Sequence, residues 1–204
     1  MRLRHHLGPD RAPRSRGHER GAALVEMAIV ATLLLLIIAG GYDFGQAWRQ
    51  GLITNEAART GARTGSALGD NYLADWYALS GSRAALQNSG RLDDVERVII
   101  YRADSTQGDV PSQCVTQNST SQRCNVLTGQ QFREMEIGDF NTTTGCFEPG
   151  LIKNWCPSAR DNVQLTADYY GVWIQTRYDY EFSILGSGTT VRRDAVMRLE
   201  PKVS

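Results

Sequence analysis

The chain has 204 residues, with 22 basic and 22 acidic side chains, which is room for one modest domain plus an anchor and gives no electrostatic case for a nucleic-acid partner. All three histidines (His5, His6, His18) fall within the first 21 residues. If that segment is removed, Ser-His-Asp and Cys-His nucleophilic sites and His-ligated metals go with it. The scattered acids show no catalytic pairing, so neither an enzyme nor a cofactor is expected.

The charge is unevenly placed. Arg2, Arg4, Arg11, Arg14, Arg16 and Arg20 stand against Asp10 and Glu19, so residues 1–21 are net positive and the rest is net negative. A basic leader ahead of an acidic body is the pattern of a sorting signal. Residues 22–41 then read AALVEMAIVATLLLLIIAGG. Twenty residues at 1.5 Å each give about 30 Å, the hydrocarbon thickness of a bilayer. The arginines before this run put the N-terminus in the cytoplasm and residues beyond about 45 outside. Tyr42 and Trp48 fall where an interfacial aromatic belt would lie. A buried soluble helix is the competing reading, but the run is too long and too uniformly apolar for it. A conventional signal peptide cut near Ala39-Gly40-Gly41 is another; its apolar region is normally 7–15 residues.

Glu26 is out of place in this run. A carboxylate at membrane depth costs roughly 2.5–3.5 kcal/mol, which calls for a partner unless the side chain snorkels to the headgroups. Cleavage after Gly21 would create an ammonium on Ala22, one helical turn away. That ammonium can pair with Glu26 of the same chain or of a neighbour, and the second pairing would set the axial register of packed helices.

Arg20-Gly21 followed by Ala22-Ala23-Leu24-Val25-Glu26 resembles the class III leader site of type IV pilins. The resemblance implies that a prepilin peptidase cuts between Gly21 and Ala22 on the cytoplasmic side and that Glu26, fifth in the mature chain, guides assembly. The wider stretch GAALVEMAIVATLLLLIIAGGYDFGQAW, continuing into NEAARTGAR at residues 55–63, resembles the TadE-like family, minor pilins or pseudopilins of the Tad (tight adherence) pilus system. The resemblance covers about residues 17–65. Met27 stands where the family usually has an aromatic, and Thr32 near a common proline, so a straighter helix is expected. Asp43-Phe44-Gly45 is not the kinase motif, because no glycine-rich loop or catalytic-loop sequence accompanies it.

No proline occurs between Pro13 and Pro111, so the helix is free to continue as a stalk over residues 22–68, about 70 Å in all. Ala47, Gly51, Thr54, Ala58, Ala62 and Gly65 recur every three or four residues and share one face, which permits close approach of a sheet or helix. Gly69-Asp70-Asn71 signals a turn. Residues 69–204 form the extracytoplasmic domain. Residues 75–87 read as a short helix and residues 95–102 (VERVIIYR) as a strand.

The insert over about residues 104–160 is polar and reads as an irregular surface loop, a place where recognition often resides. It holds Cys114, Cys124, Cys146 and Cys156, an even count that favours disulfides in an external domain. Three connectivities exist; Cys114–Cys124 with Cys146–Cys156 is the locally closed one, worth about 2–3 kcal/mol per bridge. A four-cysteine zinc site is the alternative, although no C-x-x-C pair is present. Asn118 and Asn141 begin glycosylation sequons, taken as coincidental in a bacterial chain.

Residues 172–200 read as a β-hairpin. Val172, Ile174, Thr176, Tyr178, Tyr180, Phe182 and Ile184 alternate on one face of the first strand, and Val191, Arg193, Ala195, Met197 and Leu199 on one face of the second. Facing residues must therefore sum to an odd number. A two-residue Gly186-Ser187 turn satisfies that parity and sets Glu181 opposite Arg192.

The expected fold is α+β and, by resemblance, type IV pilin-like: a long transmembrane and stalk helix packed on a small antiparallel sheet, with a disulfide-bearing insert. The expected function is a structural subunit in Tad-type pilus assembly and surface adherence. Its partners are the lipid bilayer and, by resemblance, a prepilin peptidase, other pilin subunits and the assembly machinery. The alternative is an uncleaved single-pass binding module whose Cys-bearing loop meets an extracellular ligand.

Overall fold

The computed structural model describes residues 16–116, 123–184 and 186–201, with side chains from residue 21 onward. The start of the leader, Asn118 of the first sequon and Leu185 of the hairpin loop lie outside the described residues. One helix dominates: α1, Arg16–Leu68, 53 residues long. It ends where Gly69 adopts φ +56° and its N–H bonds the Gly65 carbonyl at 3.0 Å, the left-handed termination that glycine permits. The Asn71 side chain then accepts the Leu73 N–H at 2.9 Å, and α2 (Ala74–Asn88) returns antiparallel along α1.

Five strands follow: β1 Val95–Ala103, β2 Cys124–Thr128, β3 Ile152–Lys153, β4 Tyr169–Asp179 and β5 Gly188–Arg198. Short helices α3 (Ser112–Thr116) and α4 (Gly129–Glu134) flank β2. The strands form one sheet in the order β3-β2-β1-β4-β5, with every pairing antiparallel. This is the expected α+β arrangement, a long N-terminal helix laid on a small antiparallel sheet with disulfides. The outer part of α1 and all of α2 cover one face, where Val98, Ile100, Val172 and Ile174 meet Ala57, Ala58 and Ala62. On the other face Ile99, Tyr101, Val126 and Trp173 pack under α3 and the Cys114–Cys124 bridge.

Two expectations change. The 104–160 insert is not an irregular surface loop: it supplies β2 and β3 and buries Phe132, Phe140, Phe147 and Trp155 in the main core. Its apolar residues stand singly among Ser, Thr, Gln and Asn, so no window showed a period, yet long-range pairing with β1 organises them. Trp173, on the face of β4 opposite the alternating apolar residues, is also buried, beneath the insert. Finally, the hairpin parity holds but the register differs. Arg192 faces Gln175, not Glu181, and the ladder ends at Asp179–Gly188. The strands stop early because the next residues are pulled sideways onto α1.

Close approach fixes how α1 lies on its neighbours. A β-carbon at Gly65 would overlap the ring of Tyr170, and one at Gly61 would overlap the Ser82 hydroxyl and press on the Ala78 carbonyl. The Ser82 hydroxyl donates to the Ala57 carbonyl at 2.9 Å, a bond that exists only because the helices touch there. Overpacking such a contact costs roughly 1–3 kcal/mol. Gly65→Val therefore lowers the thermal midpoint of the detergent-solubilised protein by several degrees. Gly45→Ala, which would meet nothing within 4 Å, leaves the midpoint unchanged or raises it.

Candidate anchoring and assembly site

α1 divides into two halves with different surroundings. From Gly21 the helix contains a window with mean hydropathy 2.6 of which none is buried by the folded body. Leu24, Met27, Leu33, Leu35, Ile37 and Ile38 are all exposed. From Asp43 onward one stripe is buried: Asp43, Gln50, Gly51, Thr54, Ala57, Ala58, Gly61, Ala62, Gly65. The small residues expected on the contact face are therefore on it, with Ala47 half-buried at its near end.

Gly21, Ala22 and Glu26 lie together at the start of the bare half, all exposed. Ala22 and Glu26 are one turn apart, about 6 Å along the axis. Further along, the Thr32 hydroxyl donates to the Ala28 carbonyl at 2.8 Å, so a polar group in the apolar run is satisfied within its own helix, and α1 continues unbroken through it.

At the boundary between the halves stands Asp43, fully buried. Its carboxylate accepts the backbone N–H of Glu181 at 3.1 Å and of Phe182 at 3.3 Å. The 180–187 connection is thereby clamped to the helix, and Phe182 meets Tyr42 edge-on with ring centroids 5.8 Å apart. The sequence offered one signal for this role, a carboxylate directly after the apolar run. Its partners, two backbone amides 138 and 139 residues away, left no trace in the local pattern.

The far end of the domain is tied by a buried polar cluster that sequence reasoning missed. Arg160 Nη2 donates to Asp75 at 2.6 Å, Tyr170 Oη to the same carboxylate at 3.0 Å, and Asn125 Nδ2 at 3.1 Å. Arg160 also reaches the Gly69 carbonyl at 3.4 Å and lies over the adjoining rings of Trp155 and Tyr170. Burial, with the Asp75 charge beside it, holds the Tyr170 phenol well above its ordinary range, so it stays a neutral donor. Breaking one partner out of such a cluster costs about 3–5 kcal/mol.

The cysteines form two local bridges, Cys114–Cys124 and Cys146–Cys156, with Cα separations of 6.3 and 4.8 Å. No free cysteine remains. The first bridge ties α3 to β2. The second holds the segment that carries Trp155. No group of three or more His, Cys, Asp or Glu suited to a metal occurs among the described residues. Asn141 uses its side-chain carbonyl to accept the N–H of Thr143 and Thr144, both at 2.9 Å, so the second sequon is folded into a turn.

Removing the Asp43 carboxylate leaves two amides without their acceptor at a cost of roughly 1.5–3 kcal/mol. Hydrogen exchange checks this directly: in Asp43→Ala the amides of Glu181 and Phe182 exchange at least tenfold faster, while those of β1 keep their protection.

No curated protein and no solved structure matches the chain. A family model described as TadE-like protein matches residues 21–63, about a fifth of the sequence. The matched span begins at Gly21, contains Glu26 and Asp43, and runs into the buried stripe of α1. Over that span the chain is similar to the TadE-like family, in agreement with the resemblance read from the same stretch.

Proposed function

We propose that this chain is a minor pilin or pseudopilin of a Tad-type pilus, cut after Gly21 by a prepilin peptidase and assembled through its bare helix. It is a structural subunit, with no catalytic step of its own. Before assembly it is held in the cell membrane by residues 22–41, with the leader in the cytoplasm and the domain outside.

The observation that carries this reading is the division of α1. A soluble protein has no use for a long, mostly apolar and exposed run on a helix whose continuation is core. A plain anchor has no use for Glu26 within it. Both features make sense if the bare half leaves lipid for a bundle of like helices, where Glu26 of one subunit meets the Ala22 ammonium of the next. The pairing offsets the burial of both charges and fixes an axial step. Helix α1 begins at Arg16, so the peptidase must unwind the first turn and a half to reach the bond. Gly21, about 1 kcal/mol worse than alanine as a helix former, eases that opening.

The test separates anchoring from assembly. In the bacterial host, Glu26→Ala inserts in the membrane as the wild type does, but its recovery with sheared surface filaments and co-purified pilus components falls on the order of tenfold or more, since about 1.4 kcal/mol per subunit contact is already tenfold. Wild-type recovery of Glu26→Ala in filaments would overturn the assembly role and favour an uncleaved, membrane-anchored binding module.

A further inference from the structure

We infer that the β4–β5 connection is a second membrane contact: Phe182 and Ile184 lie in the interfacial layer of the same bilayer that holds α1. The inference rests on residues 22–41 spanning a bilayer, and not on cleavage at Gly21 or on assembly.

The first ground is level. The apolar run ends at Gly41, and Asp43 is two residues, about 3 Å, beyond it. The polar layer on each side of the hydrocarbon is about 5–8 Å deep, so Asp43 lies within it when the run fills the core. The second ground is the clamp. The amides of Glu181 and Phe182 bond the Asp43 carboxylate at 3.1 and 3.3 Å, which sets the connection at the same level as that residue. The Phe182 ring confirms the placement by contacting Tyr42, one residue past the run, at 5.8 Å.

The third ground is exposure. Phe182 is 54% exposed and Ile184 43%, beside Tyr42 at 49% and Phe44 at 64%. Four large, partly exposed apolar side chains thus stand near this level, on two elements, next to the exposed apolar run of α1. Aromatic residues at that level match an interfacial belt. Charge limits the depth. Asp179 and Glu181 are in or beside the connection, and Arg177, paired with Asp179 at 2.8 Å, stands above it. These groups keep the tip among headgroups and out of the hydrocarbon.

The consequence is orientation. A helix alone leaves the domain free to rotate about the membrane normal and to tilt. With a second contact beside the helix, the sheet stands at a fixed tilt, and the tip must leave the interface when the helix leaves the bilayer.

The test uses the full chain in phospholipid vesicles at high lipid-to-protein ratio. The four native cysteines are bridged, so Ile184→Cys supplies one thiol for a nitroxide. Collisions with oxygen, which partitions into lipid, are compared with those of a water-soluble nickel chelate. Gln164→Cys, exposed and near the far end of α1, is the aqueous reference, and Leu34→Cys the lipid reference. The expected oxygen-to-nickel ratio at residue 184 is several-fold above that at 164 and below that at 34. A ratio at 184 equal to that at 164, with 34 in lipid, overturns the contact. Shielding of 184 from both reagents means that a second copy covers it, and also overturns it. A water-accessible label at 34 removes the span itself, and the inference with it.

Discussion

The folded body depends on how closely α1 can approach what packs on it. Gly51, Thr54, Ala58, Gly61, Ala62 and Gly65 form one buried stripe. At Gly61 and Gly65 there is no room even for a β-carbon. This closeness lets the Ser82 hydroxyl reach the Ala57 carbonyl and the Thr54 and Thr176 hydroxyls meet at 3.2 Å. It also lets the ring of Tyr170 lie over the end of the helix and present its hydroxyl to Asp75. A stripe of larger residues would hold the sheet away, and those polar groups would be buried without partners, at about 1–3 kcal/mol each.

Two polar clamps then fix the domain along the helix. Just past the apolar run, Asp43 gathers the β4–β5 connection. At the far end, Asp75 and Arg160 tie α2, β2, β4 and the turn after α1 into one cluster. The Cys146–Cys156 bridge restrains the segment that presents Trp155 to that cluster. The two clamps are separated by most of the outer half of α1, so the domain is fastened at both ends and packed by small residues between them.

Much of this was legible in the sequence because it depended on local pattern. The apolar run, the misplaced Glu26, the small-residue spacing and the Gly69 turn each declare themselves within a few residues. So does the period-two alternation of β4 and β5, which gave the pairing parity, although Tyr180, Phe182 and Ile184, read onto the first strand, lie beyond its end. What failed was whatever depended on distant partners. The β4–β5 register could not be found from Gly186-Ser187 because Asp43, far upstream, ends the ladder early. The polar insert hid two strands and four core aromatics, since β2 is five residues and β3 only two and both are defined by pairing rather than by propensity. Asp75 looked like an ordinary first-turn acid of a helix; nothing near it in sequence announced Arg160.

Processing between Gly21 and Ala22 would make the helix beyond it the mature N-terminus. The intact mass of the protein purified from the membranes of its host decides this: the expected chain begins at Ala22. A chain that retains the leader, or one that begins near Tyr42, rules that processing out.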